Sequence, residues 1–117
     1  MVTDLDCLFC RIVAGDVPAD VVYETDAVIA FRDTSPQAPV HVLVVPKEHH
    51  DDIREIAEAD DELVGDIVRA ASAVAAVEQI SESGFRLVFN TGAGAGQTVF
   101  HAHAHVLGGR QLGHLAG

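Results

Sequence analysis

Apolar residues recur along this chain with changing period, and the changes mark out its elements. From Cys7 to Ala14, Leu8, Phe9, Ile12 and Val13 fall at helical spacing and Gly15 offers a stop, which predicts a short helix. VVYET and VIAFR, flanking Asp26 and Ala27, read as a hairpin over 21–32. Two prolines in DTSPQAP, 33–39, give a loop of fairly fixed path. VHVLVVP then forms an apolar strand, Val40 to Val45, ended by Pro46. A short helix is expected near 51–57, and Asp60 or Asp61 caps a long one reaching about Ser81. Ser83-Gly84 breaks that helix ahead of a strand over 85–90.

After a glycine-rich loop, NTGAGAGQT over 90–98, comes FHAHAHVLGG. There His101, His103 and His105 alternate with Ala102, Ala104 and Val106, so on a strand all three imidazoles share one face. With only one long helical crossover, the pattern predicts an α+β fold, a mostly antiparallel sheet carrying one long helix and a short N-terminal helix, in a single domain over 1–117. The long helix is apolar at Leu63, Val64, Ile67, Val68, Ala71, Val74, Ala75, Val77 and Ile80, which exceeds one stripe. Packing on the sheet covers one face, and a second subunit is expected on the other.

Composition narrows the partners. A net charge of −11, from 18 acidic against 7 basic residues, argues against nucleic acid held on a basic surface. No segment has the uncharged apolar length of a membrane span. The opening MVTDLDCLFC lacks the basic start of a signal peptide, and a cytoplasmic location is expected. In such a reducing compartment Cys7 and Cys10 are a metal half-site, a redox pair or two buried thiols. Only six mostly polar residues precede Cys7, which disfavours the strand-to-helix setting of a redox pair.

The alternating histidines admit three readings: a catalytic zinc site, a surface cluster without a role, or a nucleophile with two helpers. Small apolar neighbours make the strand look central, and buried rings need partners, which counts against the second. The glycine loop can bring backbone N–H groups close to an anion, which favours phosphate chemistry and hence the nucleophile.

At this point the chain resembles the histidine-triad (HIT) superfamily of nucleotide-binding proteins, whose H-x-H-x-H motif with two following apolar residues reads HAHAHVL here. CLFCRIVAGDVPA, FRDTSPQAPVHVLVVPKEH and GAGQTVFHAHAHVLGGRQ look like family segments in the expected order. SPQAP, AGQTVFH and VLGGRQ are most similar to the Hint branch of purine nucleoside phosphoramidases.

The resemblance implies cleavage of a purine nucleoside phosphoramidate at the α-phosphate, with a nucleotidyl-histidine intermediate and release of a nucleoside monophosphate. It makes His103 the nucleophile, the carbonyl of His101 its orienting acceptor, and His105 the partner of a phosphate oxygen or of the leaving group. Asn90, Gly96, Gln97 and Thr98 match positions on the phosphate side, Asp33 the carboxylate on the ribose, and Phe9, Ile12, Val17, Phe31 and Thr34 the base pocket. His41, inside an apolar strand, reads as structural. Some relatives hold a structural zinc, and the matching ligands are Cys7, Cys10, His49 and His101. Other functions compatible with the resemblance are dinucleoside polyphosphate hydrolysis, nucleotidyl transfer and non-enzymatic nucleotide sensing. The tail departs from the Hint pattern. LGHLAG carries no tryptophan, and His114 or Leu115 falls where that aromatic would be.

Overall fold

The computed structural model describes residues 6–114, so Leu115 lies outside the described residues. Five antiparallel strands form one sheet in the order β1-β2-β3-β5-β4. They are β1 (Val21–Glu24), β2 (Val28–Arg32), β3 (Val40–Pro46), β4 (Phe85–Val88) and β5 (Ala104–Gly108). Helix α1 (Leu8–Val13) precedes the sheet, and α2 (Ile53–Ala59) and α3 (Asp61–Val77) carry the chain from β3 to β4. The α+β architecture is the one expected from the pattern.

β3 sits in the middle because both of its faces are apolar. Val42 and Val44 join Val28, Ala30, Ala104 and Val106 on the face packed against α3, whereas Leu43 and Val45 join Ile29 and Phe31 beneath α1. Each fully buried aliphatic side chain contributes about 1.5–3 kcal/mol, which makes this doubly covered strand the firmest part of the sheet. Against the first face α3 lays Ile67, Ala70, Ala71, Val74 and Ala75. His41 and His105 alternate onto the second face with Leu43, so the helix layer and the histidines lie on opposite sides.

Local chemistry sets the helix ends. Asp52 and Asp60 accept from the N–H groups of Glu55 and Leu63, capping α2 and α3, and Cys7 Sγ accepts from Cys10 N–H to start α1. The long helix stops at Val77 instead of about Ser81. Gln79 takes a left-handed conformation (φ 63°), and Ile80 N–H reaches back to the Ala75 carbonyl. That is a Schellman ending, sealed by burial of Ile80, and it needs no glycine.

A second departure lies at the histidines, where regular pairing starts at Ala104 and only His105 of the three belongs to β5. Ahead of it the ladder partners are replaced. Ala102 N–H donates to the His50 carbonyl, and the carbonyl of His101 accepts from a side chain. The last strand before the glycine loop is also shorter than expected, ending at Val88.

Candidate active site and metal centre

On the α1 side of the sheet a cavity of about 520 Å³ opens between α1, β2 and β5. Phe9, Ile12, Phe31, Asp33, Thr34, Thr98, His103 and His105, all expected at a nucleotide site, line it. Pro18 and Ala19 form the wall where Val17 was expected; Val17 does not line the cavity. Phe9 serves core and cavity together. Buried, it meets the His103 ring edge-on at 5.0 Å and Phe31 at 5.6 Å.

His103 is held by a bond of 2.8 Å between its Nδ1 and the carbonyl of His101. A carbonyl only accepts, so Nδ1 carries the proton and Nε2 keeps a bare lone pair. Burial lowers the pKa of His103, opposed by the bond to His101 and by Asp33, and the ring stays neutral at pH 7. Its neighbour His105, 5.0 Å away between ring centres, is pushed down to about 4 by burial and then by His103 and His41. Two neutral imidazoles therefore face the cavity, one with a free lone pair.

The loop after β4 is pinned from within. Gln97 is buried, its Oε1 accepts from Gly92 N–H, and its Nε2 donates to the carbonyls of Asp51 and Val99. Its amide protons are thus spent on loop carbonyls, which differs from the expected phosphate contact; Gln97 shapes the loop. Gly96 adopts φ 94°, open to glycine without strain, and its N–H is also engaged, with the Ala93 carbonyl. Thr98 is left on the cavity wall, and the Asn90 amide lies 3.5 Å from His105 Nε2.

His41, read from sequence as structural, belongs to this site. Its Nε2 lies 2.9 Å from His105 Nδ1 and 3.5 Å from Asp33 Oδ2. The signal was available in the strand alternation, since 41, 43 and 45 share the face that carries the histidines.

Behind His103 the expected metal-ligand set is assembled. His101 Nε2 donates to the Pro46 carbonyl at 2.8 Å, so its Nδ1 is unprotonated and faces Cys7 Sγ at 3.3 Å and Cys10 Sγ at 3.4 Å. His49 Nε2 pairs with Asp51 Oδ1 at 3.0 Å, leaving its Nδ1 to face Cys10 Sγ at 3.2 Å and His101 Nδ1 at 3.1 Å. The two Nδ1 atoms and the two sulfurs thus converge on one point, as ligands of a shared cation do. In a tetrahedral site with metal–nitrogen bonds of about 2.05 Å, two ring nitrogens stand about 3.3 Å apart, close to what is seen. Burial pushes the Cys7 thiol up to about 11, and a bound metal is what would hold it as thiolate. Cys7, Cys10, His49 and His101 therefore fit a metal ion, with Pro46 and Asp51 orienting the two rings. A second grouping, Asp33, His41 and His105, has its ring nitrogens 2.9 Å apart, the spacing of a direct hydrogen bond.

A HIT domain family model matches residues 14–112. The chain belongs to the HIT domain family. This HIT domain is 40 % identical over 108 residues to the purine nucleoside phosphoramidase of Escherichia coli K12, covering 92 % of this chain and 91 % of that protein. An uncharacterised HIT-like protein of Synechococcus elongatus is 47 % identical over 107 residues, covering 92 % and 93 %. The crystal structure of a HIT family hydrolase from Legionella pneumophila superposes with a TM-score of 0.91 at 47 % identity, covering 96 % of this chain and 100 % of that one.

The metal centre makes a direct prediction. Titrating the metal-free protein with Co²⁺ under reducing conditions will give the intense visible bands of a tetrahedral thiolate–imidazole site at one equivalent. Cys10→Ser will weaken and shift them; a spectrum like that of aqueous Co²⁺ in the wild type would contradict the assignment.

Proposed function

We propose that this HIT domain is a nucleotide hydrolase that cleaves the P–N bond of purine nucleoside phosphoramidates at the α-phosphate through a nucleotidyl-His103 intermediate. The observation that carries this reading is the bond from His103 Nδ1–H to the His101 carbonyl, which turns an unprotonated Nε2 toward the cavity. The named activity of the 40 % identical Escherichia coli protein supports the choice of bond.

In the first step Nε2 forms a bond to phosphorus as the phosphorus–amine bond breaks. The positive charge arising on the ring is shared through Nδ1–H with the His101 carbonyl. The departing amine takes its proton from the water that later attacks, and a neutral His105 carrying Nε2–H hydrogen-bonds the departing nitrogen or a phosphate oxygen. Water then attacks the phosphorus, releases the nucleoside monophosphate and restores His103. Thr98 and Asn90 bear the charge developing on the phosphate oxygens. Asp33 accepts from the ribose hydroxyls, and Phe9, Ile12, Phe31 and Thr34 contact the purine.

Zinc in the Cys7, Cys10, His49 and His101 set would have all four positions filled by protein, a structural role. The cytoplasm, where thiols stay reduced, suits that ligand set. We also infer a homodimer. Val68 and Val77 on α3 and Phe85 on the edge strand β4 are exposed, a broken apolar surface that a second copy would cover. Among the described residues no helix is long and apolar enough to cross a membrane.

Given an AMP phosphoramidate and, separately, a diadenosine polyphosphate, the wild type will turn over the first faster. His103→Ala will lose roughly a thousandfold or more in rate while still binding AMP. Because burial lowers the pKa of His103 below its ordinary 6.5, the attacking form is present above the lowered value and lost as pH falls through it. The acid limb of single-turnover rate will therefore have its midpoint below pH 6.5, and a midpoint above that would contradict a buried nucleophile. Light scattering will give the mass of two 12.4 kDa chains, against one if α3 is uncovered.

A further inference from the structure

The apolar walls of the cavity cannot tell one purine from another. Phe9, Ile12 and Phe31 meet the faces of a base, and adenine and guanine present nearly the same faces. Choice between them has to come from polar groups at the base edge. Beyond Thr34, whose hydroxyl donates or accepts as required, the polar lining residues that phosphate and ribose leave unused are Asp20 and Arg32.

Both stand at the end of the cavity away from the histidines. Strand partners run in one row across the sheet, from His105 on β5 through Leu43 on β3 and Phe31 on β2 to Val21 on β1, next to Asp20. Three strand spacings of about 4.8 Å make that row about 14 Å long. Phosphate at His103 and His105 and ribose on Asp33, just past the end of β2, leave the base to extend over Phe31 toward Asp20.

The Asp20 carboxylate is exposed but held. Its Oδ2 accepts from Arg32 Nη1 at 2.9 Å, and Arg32 is fixed in turn by a two-pronged bond to Glu78, Nε to Oε1 at 3.2 Å and Nη2 to Oε2 at 2.9 Å. The Arg32 backbone N–H also donates to the Asp20 carbonyl at 3.0 Å, so main chain and side chain tie the two residues together. Asp20 Oδ1 is left for a donor on the ligand. A carboxylate only accepts. Guanine offers it N1–H and a 2-amino N–H side by side, whereas adenine offers one N6–H beside N1, a lone pair that the second carboxylate oxygen repels.

We propose that Asp20, positioned by Arg32 and Glu78, makes this site prefer guanine over adenine nucleotides. The inference rests on the nucleotide reading above and adds the base to it.

Isothermal titration calorimetry of the full chain with GMP, IMP and AMP tests it. IMP keeps N1–H and lacks the 2-amino group, so affinity should fall in the order GMP, IMP, AMP. The gap between first and last should be about five- to tenfold, one charge-assisted hydrogen bond discounted for exposure. Asp20→Asn replaces an acceptor by an amide donor that suits adenine N1, so the order should reverse, AMP affinity rising as GMP affinity falls. Asp20→Ala should bring the three together, chiefly by weakening GMP. Equal weakening of all three in either variant, or a wild type that binds GMP and AMP alike, would overturn the proposal while leaving the nucleotide site standing. Failure of all three to bind the wild type would remove the nucleotide reading, and this inference with it.

Discussion

The site depends on three simultaneous commitments of one residue, His101. Its ring Nε2 is tied to the Pro46 carbonyl, its Nδ1 faces two thiols and His49, and its backbone carbonyl accepts from His103. Fully buried, it cannot adjust any one of these without disturbing the others. The cluster that could hold a metal ion and the imidazole proposed as nucleophile are therefore parts of one construction. A cation held there would fix the ring of His101 and with it steady the carbonyl that decides which nitrogen of His103 is free.

The sheet makes that arrangement possible by dividing its labour between two faces. On one, valines and alanines of β2, β3 and β5 pack against α3 and supply most of the apolar burial. On the other, α1 covers only part of the surface, and the remainder is the cavity where His41, His103 and His105 meet Asp33. Polar rings can be kept there because each has a partner; among the described residues no buried side-chain polar atom is left without one. Burial in turn keeps the rings neutral, which attack by an imidazole lone pair requires.

Much of this was legible in the sequence. Period-2 alternation in VIAFR and VHVLVVP and the capping aspartates gave the elements, and Cys7, Cys10, His49 and His101 meet in space as the family resemblance implied. What was not legible arose where tertiary partners replaced regular backbone pairing. The HAHAH run reads as uniform strand, yet the His101 carbonyl and the Ala102 N–H are taken by a side chain and by His50, so regular pairing waits until Ala104. Gln79 ends α3 in a conformation that sequence propensity assigns to glycine. His41 was hidden by its apolar neighbours, because a strand buried on both faces does not announce which face holds the chemistry. Gln97 looked like a phosphate donor, and its neighbours' carbonyls claimed it first.

The measurement that bears most directly on the central claim is rapid-quench mass spectrometry of the intact protein during its first turnover of an AMP phosphoramidate, followed by peptide mapping. A transient adduct of one nucleotidyl group on His103, decaying as AMP appears, is the result expected from a neutral Nε2 held by the His101 carbonyl. An adduct on His105 or His101, or full burst turnover with no protein adduct at any time, would contradict it.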